Sequence, residues 1–285
     1  MASKYAFRVE NYEHFYQYPQ EYYMAPFRIF ANLYFVGNRD VGAYLLDTPE
    51  GLILIDTTYP TTRALLLQSI WEAGFNPRKI RYILHTHGHF DHFGATDLLV
   101  SLSGAKTFLG AEDARMFRER PELALIDDAR YTHLELFRPD VELQDGDIVQ
   151  LGDTKIRCVS APGHTMGVFA YFIELREGAE THLAGLYGGI GVNTLCRESI
   201  QRYHTEYLRD YHIPSLEKVR GEPVDIVLGN HTQQAQMLQK YQRMTADPSA
   251  PNPFIDPTEW QRFIDHAEAL YRQMLEDEAT GADQI

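Results

Sequence analysis

The sequence predicts an α/β protein in which two mixed β-sheets are stacked between outer helices. Three observations predict this fold class. Strand-type and helix-type segments are mixed along the 285 residues, and this order repeats once. Residues 52–55 are apolar at every position, as in strands that are buried on both faces. The chain is also long enough, at 44% hydrophobic residues, to bury a large core.

The first half of the chain begins with predicted strands, after which helices and strands alternate. From Phe27 onwards, turn signals at Gly37-Asn38 and at 49–51 separate apolar runs that predict strands. A helix is predicted to end near Gly74. The elements in order are strands over 33–36, 43–46 and 52–56, a helix over 61–73, a strand over 80–84, a helix over about 95–103, a strand over 105–109 and a helix over 111–119.

The second half repeats this order. Gly-Asp turns at 146–147 and 152–153 separate apolar runs, a Gly-rich loop is expected from Gly185 to Gly191, and an apolar face that begins at Trp260 predicts a C-terminal helix over 257–276. The other predicted elements are strands over 148–151, 155–160 and 168–175, a mostly helical segment over 197–219 and a strand over 225–228.

Two segments have no regular periodicity. Residues 1–26 are rich in Tyr and Phe, which predicts an ordered arm that lies on the body of the protein near the site. Residues 121–139 are predicted to form a lid or an irregular helical segment. The remaining chain, 27–285, is predicted to be a single domain that includes the C-terminal helix.

A dense group of metal-ligand side chains follows the predicted strand at 80–84. The segment His87-Gly88-His89-Phe90-Asp91-His92 places three imidazoles and one carboxylate within six residues. The ligands alternate up to Asp91 and His92 breaks the alternation, so the segment is predicted to be a loop at a strand end. Imidazole nitrogen and carboxylate oxygen are donors that zinc accepts. The alternative is a solvated polar loop that happens to be rich in histidine.

Two further histidines occupy equivalent places. His164 follows the strand at 155–160, behind a Pro-Gly turn, and His231 follows the strand at 225–228. Because sites in α/β proteins assemble at the carboxyl ends of strands, both are candidate ligands. Either one alone could instead be a hydrogen-bonded structural histidine.

The other histidines lack ligand-type neighbours. His85 precedes the His-rich segment and is predicted to be a core or ligand-supporting residue, and His133 offers a substrate contact within the predicted lid. The rest are interpreted as surface or packing residues: His14, His182, His204, His212 and His266.

Composition excludes several classes of partner. The net charge of −14 argues against a nucleic-acid surface and against a polybasic membrane patch. The two cysteines, Cys158 and Cys196, form no CxxC pattern and no disulfide framework. No segment resembles a signal peptide or a membrane span, so a cytoplasmic protein is expected, unless an export segment has been removed. The oligomeric state is left open.

The motifs HxHxDH, PGHT and GNH, each behind an apolar strand, together resemble the metallo-β-lactamase superfamily. The resemblance covers nearly the whole chain, and residues 26–29, 34–37, 51–56 and 252–257, with the helix that follows, are most similar to the third subclass of true metallo-β-lactamases. It implies an αββα sandwich with two zinc ions in a cleft between two halves. The ligands that it implies are His87, His89 and His164 for the first zinc, and Asp91, His92 and His231 for the second.

One segment departs from the family pattern. Many relatives, such as thioesterases and lactonases, place an Asp near Gly185 that bridges both metals, whereas residues 183–189 contain no carboxylate. The Asp and Ser that subclass-three enzymes usually carry there are missing too. Five imidazoles and one carboxylate leave two zinc ions strongly positive, so an anionic small-molecule substrate is expected.

The resemblance also implies a mechanism. A hydroxide held by the zinc ions would attack a substrate carbonyl, and Asp91 would orient this nucleophile or receive its proton. Tyr187 is a second candidate catalytic residue, because its hydroxyl could donate to an oxyanion; the alternative is a packed tyrosine. Asp56, Thr86 and Thr165 are expected to support the ligands.

Three functions remain open at this point. The first is a zinc hydrolase that opens a cyclic amide, with β-lactams as the leading substrates. The second applies the same chemistry to a lactone or thioester of cytosolic metabolism, which the lack of an export signal favours. The third is a metal-binding protein without catalytic activity.

Overall fold

Two β-sheets stacked face to face form the centre of the protein, and helices cover their outer sides. The computed structural model describes residues 3–7, 13–126 and 134–284. The arrangement confirms the predicted α/β sandwich of two mixed sheets flanked by helices.

The strands of the first sheet lie side by side in chain order. They are β1 (Phe27–Phe30), β2 (Leu33–Phe35), β3 (Tyr44–Thr48), β4 (Gly51–Ile55), β5 (Ile80–Leu84), β6 (Lys106–Gly110) and β7 (Val141–Leu143). Neighbours from β1 to β4 are antiparallel, whereas those from β4 to β7 are parallel. The carboxyl ends of β4, β5 and β6 therefore lie at one edge of this sheet.

The second sheet is mostly antiparallel. Its strands are β8 (Ile148–Leu151), β9 (Thr154–Ser160), β10 (Phe169–Glu177), β11 (Glu180–Tyr187) and β12 (Ile226–Gly229). They neighbour one another in the order β12-β11-β10-β9-β8, and β11 pairs with β12 in parallel.

The α-helices connect the strands and cover the sheets. They are α1 (Glu13–Gln17), α2 (Arg63–Glu72), α3 (Phe90–Phe93), α4 (Thr96–Ser103), α5 (Ala111–Glu119), α6 (Arg197–Tyr203), α7 (Arg209–Arg220), α8 (Met237–Ala246) and α9 (Glu259–Thr280).

Both faces of each sheet are apolar. Leu46 of the first sheet and Tyr171 of the second belong to one buried cluster between the sheets. On the outer side of the first sheet, Ile83 packs in a cluster with residues of α2 and α4, and α7 and α9 cover the second sheet in the same way. This double burial explains why β4 has no polar side chain facing water.

The sequence prediction misses β7, β11 and α8, and it gives no bounds for β1, α1 or α3. β11 begins with polar residues and contains Gly185, so no continuous apolar run marks it. A Cβ atom at Gly185 would lie 2.7 Å from Cγ2 of Val224, which explains the glycine in a strand. The predicted loop from Gly185 to Gly191 is therefore corrected: Gly185 to Tyr187 belong to β11, and the loop begins at Gly188.

The helical predictions need smaller changes. The segment 197–219 is divided into α6 and α7, because His204 takes a left-handed conformation with φ of 53° after α6. The C-terminal helix predicted over 257–276 is α9, which starts two residues later and continues to Thr280.

The described parts of the amino-terminal arm lie against the body. The hydroxyl of Tyr5 donates a 2.5 Å hydrogen bond to Asp277 of α9. Phe15 of α1 is fully buried, and its ring centroid lies 4.5 Å from that of Tyr59. That residues 27–285 form a single domain stays a prediction.

The predicted lid over 121–139 is only partly described. Residues Pro121–Ala124 form a 3-10 turn, residues 134–139 have no helix or strand, and residues 127–133 lie outside the described part of the chain. No helix in the described ranges is both long and apolar enough to cross a lipid bilayer.

Candidate metal centre

Three loops that follow β5, β9 and β12 meet at one edge of the two sheets. The loop after β5 carries the ligands predicted between His87 and His92, and α3 begins at Phe90 within it. His164 lies in the loop after β9, and His231 lies two residues beyond β12. The structure thus brings together all six predicted ligand side chains, in two groups of three.

His87, His89 and His164 form the first group. Their ring centroids are 4.6 to 4.9 Å apart, and Nε2 of His87 lies 2.9 Å from Nδ1 of His89. One donor atom from each residue lies within 4.8 Å of the other two, and all three side chains are buried. Three imidazole nitrogens at this spacing match the protein ligands of a zinc site with an open position.

His164 is oriented by the loop after β11. Its Nδ1–H donates to the carbonyl oxygen of Gly191 at 2.9 Å, and the hydroxyl of Thr194 donates to the carbonyl oxygen of His164 at 2.7 Å. With the proton on Nδ1, the lone pair of Nε2 is free to bind a metal.

Asp91, His92 and His231 form the second group. Oδ2 of Asp91 lies 3.3 Å from Nε2 of His92 and 3.3 Å from Nε2 of His231. Asp40 stands behind His231, with 3.5 Å between Oδ1 and Nδ1, and Asp40 also accepts a hydrogen bond from the hydroxyl of Tyr59 at 2.7 Å. Sequence reasoning missed Asp40, which lies in a turn far from any ligand motif.

Asp56 supports the loop after β5 from behind. Its Oδ2 accepts a 2.8 Å hydrogen bond from Nδ1–H of His92. The backbone N–H and the hydroxyl of Thr86 each donate to the same carboxylate at 2.8 Å. These bonds confirm the supporting roles predicted for Asp56 and Thr86. They also leave Nε2 of His92 facing Asp91, the carboxylate of the second group.

Burial keeps the first group neutral. Loss of water contact lowers the pKa of His89 to about 4 and lowers the pKa values of His87 and His164 well below the ordinary 6.5. Neighbouring imidazoles lower the pKa values of His87 and His164 further. All three are therefore neutral at pH 7, which is the form that binds a metal.

Opposite charges outweigh burial in the second group. Burial alone would raise the pKa of Asp91, but His92 and His231 hold it well below its usual value. Burial alone would lower the pKa values of the two histidines, but carboxylates raise both: Asp91 together with Asp56 at His92, and Asp40 together with Asp91 at His231. A cation bound here would take the place of these protons.

Sequence reasoning also missed Asp113. This residue lies in the first turn of α5, is fully buried and bonds to both loops that carry the first group. A signal was present, because Asp113 falls on the helix face that carries the apolar Met116 and Phe117, where an acidic residue is unexpected. The contact with Thr165 confirms that this threonine supports the site.

Tyr187 does not take the catalytic position predicted for it. The side chain is fully buried in the cluster between the second sheet and the helices α7 and α9, together with Leu216 and Trp260. Its hydroxyl faces Ser215, and burial raises its pKa well above 10. Because Leu186 points between the sheets, the next side chain points to the outer face, so the prediction is corrected to a packed tyrosine.

The remaining histidines lie outside both groups. His85 is buried and bonds to the carbonyl of Phe108 at 2.9 Å and to the hydroxyl of Thr96 at 2.8 Å, which confirms a core position. His133 lies outside the described residues. The other histidines, none of which contributes to either group, are His14, His182, His204, His212 and His266.

Just beyond β11, Gly188 and Gly189 bring the backbone close to the ligands without a side chain. A Cβ atom at Gly188 would lie 2.4 Å from the carbonyl oxygen of Phe169, and one at Gly189 would lie 2.9 Å from Cβ of His164. The backbone packs too closely here for a bridging carboxylate, in agreement with the departure noted in the sequence.

A cleft of about 390 Å³ opens onto both groups, which is a suitable size for a small molecule. The amino-terminal segment forms part of its wall through Lys4, Tyr5 and Phe7. A smaller, mainly apolar cavity of about 100 Å³ lies beside His89 and His164. The cleft is therefore placed so that a small molecule within it would contact both donor groups.

Comparison with known families identifies the fold. Residues 36–176 match the family described as the metallo-β-lactamase superfamily. This range contains the His-rich loop and His164, whereas His231 follows it.

Solved metallo-β-lactamases have the same fold. The FEZ-1 metallo-β-lactamase from Legionella gormanii is 28% identical with a TM-score of 0.81, and the match covers 91% of this chain and 98% of that one. The subclass B3 metallo-β-lactamase BJP-1 of Bradyrhizobium japonicum is 24% identical with a TM-score of 0.80, over 92% of this chain and 97% of that one. The resemblance to this subclass is thereby confirmed at the level of the fold.

A curated sequence relative has a different name. The hydroxyacylglutathione hydrolase of Maricaulis maris is 30% identical over 111 residues, which are 39% of this chain. The match spans about a third of that relative's own length, 35%.

Proposed function

We propose that this chain, which belongs to the metallo-β-lactamase superfamily, is a zinc-dependent hydrolase that opens a cyclic amide, with β-lactams as the leading substrates. The observation that carries the proposal is the convergence of two three-residue donor groups on one cleft. The fold alone would not suffice, because one fold supports many reactions.

The side chains present fit a pair of zinc ions. Nε2 of His92 is buried and makes no well-directed hydrogen bond with any described residue, a cost that a metal bond would remove. The outer nitrogens of His92 and His164 are already held by an oxygen acceptor, as metal-ligating histidines usually are. The residues that would hold the ions are His87, His89 and His164 for one, and Asp91, His92 and His231 for the other.

When bound, zinc supplies Lewis acidity, which lowers the pKa of water to about 7 and polarises a carbonyl oxygen. Asp91 is the residue of this chain that we assign to the nucleophile. Its low pKa keeps it ionised at neutral pH, so its carboxylate can accept a hydrogen bond from water and orient it. The neighbouring Phe90 is buried and forms part of the apolar wall of the cleft.

The charge around the cleft favours an anionic small molecule. Asp91 is the one carboxylate among the six donors, and the tight backbone at Gly188 leaves no room for another. Asp40 and Asp56 lie behind the histidines rather than in the cleft wall. Lys4 also lines the cleft, but its ammonium pairs with Asp277 at 2.8 Å, so the positive charge that would attract an anion comes from the bound metal ions. Zinc as the native metal and a cytoplasmic location stay predictions.

A second candidate function is hydrolysis of a thioester or lactone by the same residues. The name of the Maricaulis relative favours it, although that match covers far less of the chain than the match to the Legionella metallo-β-lactamase. The glycines just beyond β11, Gly188 and Gly189, argue for the cyclic amide, since the thioesterases of this superfamily would place a bridging Asp in this segment. Binding of metal without catalysis is the third possibility.

A substrate panel tests the proposal. The zinc-loaded protein is assayed with a chromogenic cephalosporin, an acyl-homoserine lactone and a glutathione thioester, each with and without a chelator. We expect chelator-sensitive turnover that is fastest on the cephalosporin. His164→Ala, which removes one ligand of the first group, serves as the inactive control, and Trp71→Ala, on the exposed face of α2, as the active one.

Each other result has a definite meaning. Fastest turnover of the thioester or lactone replaces the cyclic amide as substrate but retains the hydrolase. Turnover of none of the three, with two metals bound per chain, contradicts the catalytic proposal and supports a metal-binding protein.

A further inference from the structure

We propose that Asp113 is a positioning residue for the first donor group, because its carboxylate holds together the two loops that carry His87, His89 and His164. Asp113 itself is not a ligand and belongs to neither donor group. The inference rests on the proposed function, since it concerns the metal that these histidines would bind.

The contacts of Asp113 connect two distant parts of the chain. Oδ2 accepts hydrogen bonds of 2.7 Å from the backbone N–H of Gly88 and of 2.7 Å from the hydroxyl of Thr165. Oδ1 accepts a 2.8 Å hydrogen bond from the backbone N–H of Gly167. Gly88 separates the first two histidines of the group, and Thr165 directly follows the third. One carboxylate therefore bonds to both ligand loops.

The packing around Asp113 fixes the separation of these loops. A Cβ atom at Gly167 would lie 2.4 Å from Cγ of Asp113. One at Gly88 would lie 2.8 Å from side-chain atoms of Met116 and Phe117 in the same helix. The first turns of α5 thus lie directly against both loops, and at Gly167 only glycine fits, because a Cβ atom would also lie 2.4 Å from the backbone nitrogen of Asp113.

The free-energy cost of burying the Asp113 carboxylate indicates a positioning role. Asp113 is fully buried, and burial raises its pKa to about 6 even though three hydrogen-bond donors favour the ionised form. An apolar side chain in the first turn of α5 would avoid the cost of burying a charge. A buried carboxylate is needed here because two backbone N–H groups and a hydroxyl from separate loops require a common acceptor.

Asp113 and Asp56 divide the support of the centre between them. Asp56 bonds to the imidazole of His92 in the second group, whereas Asp113 bonds to backbone N–H groups in the two loops that carry the first group. Loss of Asp113 should therefore loosen the first metal site while the second keeps its own support.

Direct metal titration tests this assignment without any substrate. Cobalt(II) affinity is measured by competition with a chromophoric chelator in two backgrounds, one that retains only the first group (His231→Ala) and one that retains only the second (His164→Ala). Adding Asp113→Asn is expected to weaken cobalt binding about 10–100-fold in the first background and less than about 3-fold in the second. The carboxamide fails because its NH₂ group would face an N–H donor.

Thr165 supplies variants that are milder. Thr165→Val removes one of the three donors and should weaken the first site in the same direction by a smaller factor, whereas Thr165→Ser retains the hydroxyl and should restore it. These variants keep the assignment testable if Asp113→Asn does not fold, which circular dichroism would show.

The outcomes separate the two levels of the argument. Equal weakening in both backgrounds, or none in either, overturns the role of Asp113 while the metal centre stands. No cobalt binding by the unsubstituted protein or by either background overturns the proposed function, and this inference with it.

Discussion

Nδ1–H of His92 donates a 2.8 Å hydrogen bond to Oδ2 of Asp56, and both side chains are excluded from solvent. The bond joins the end of β4 to α3, so a strand end fixes the orientation of an imidazole in the donor group. Its other nitrogen then faces Asp91. The geometry of the second group therefore depends on a carboxylate that does not itself line the cleft.

Asp56→Asn should lower kcat/KM by about 10–100-fold, because supporting residues behind metal ligands contribute by this factor. A carboxamide cannot accept all three of the hydrogen bonds that Asp56 receives from Thr86 and His92. Asp47→Asn, at an exposed position in β3, is the matched control and should retain activity within about 2-fold. Similar activities of the two variants would show that the support is dispensable.

Asp91→Ala should reduce turnover by at least ~100-fold, since it removes both a donor of the second group and the carboxylate assigned to the nucleophile. Steady-state kinetics on the substrate identified by the panel provide the measurement, with circular dichroism to verify the fold. Asp97→Ala is the control, because Asp97 forms an exposed 3.5 Å ion pair with Arg63 that contributes little. Retention of activity within about 5-fold in Asp91→Ala would refute the assigned role.

Tyr187→Phe should leave kcat/KM within about 3-fold of the parent protein, because the hydroxyl packs on the outer side of the second sheet. Tyr44→Phe serves as the comparison, because it removes a tyrosine hydroxyl that does make a hydrogen bond. The hydroxyl of Tyr44 donates a 2.6 Å hydrogen bond to the carbonyl oxygen of Gly229, two residues before His231. Loss of this hydrogen bond should lower the free energy of unfolding by about 1–3 kcal/mol. A fall of more than about 30-fold in Tyr187→Phe would restore the catalytic role that the structure removes.

His212 should make the stability of the metal-free protein depend on pH. Burial lowers the pKa of His212 from 6.5 to about 4, and neither ring nitrogen has a hydrogen-bond partner among the described residues. The folded state therefore binds this proton less readily than the unfolded state. The stability that neutral His212 provides above pH 6.5 should be lost as the pH falls toward 4, by about 3 kcal/mol in total.

Urea unfolding of the metal-free protein at pH 7, 6, 5 and 4 measures this effect. His212→Leu should lose less stability over this range than the parent protein, whereas His266→Gln, at an exposed position of α9, should follow the parent. If His212→Leu loses as much stability as the parent, another group is responsible for the acid sensitivity.

The six candidate ligands could be predicted because each lies next to a local signal. The His-rich loop, the Pro-Gly turn before His164 and the Asn before His231 all follow apolar strands, and the carboxyl ends of such strands meet in this fold. The candidate ligands could therefore be predicted from one sequence, because they lie at the ends of strands that are themselves easy to recognise.

The supporting residues and the orientation of Tyr187 could not be predicted in this way. Asp113 reaches Gly88 and Thr165 across 25 and 52 positions of sequence, and no local pattern encodes such a contact. Tyr187 was misplaced because Gly185 made the end of β11 resemble a loop in the sequence. Without a predicted strand, the alternation of side chains between the two faces could not be used to place Tyr187.

Anomalous diffraction at the zinc edge, from crystals of the zinc-loaded protein, tests the two-metal centre most directly. We expect two peaks, one about 2.0–2.1 Å from nitrogens of His87, His89 and His164, and one within bonding distance of Asp91, His92 and His231. No peak in the cleft, with His164 and His231 turned away from the loop after β5, would contradict the centre and the hydrolase built on it.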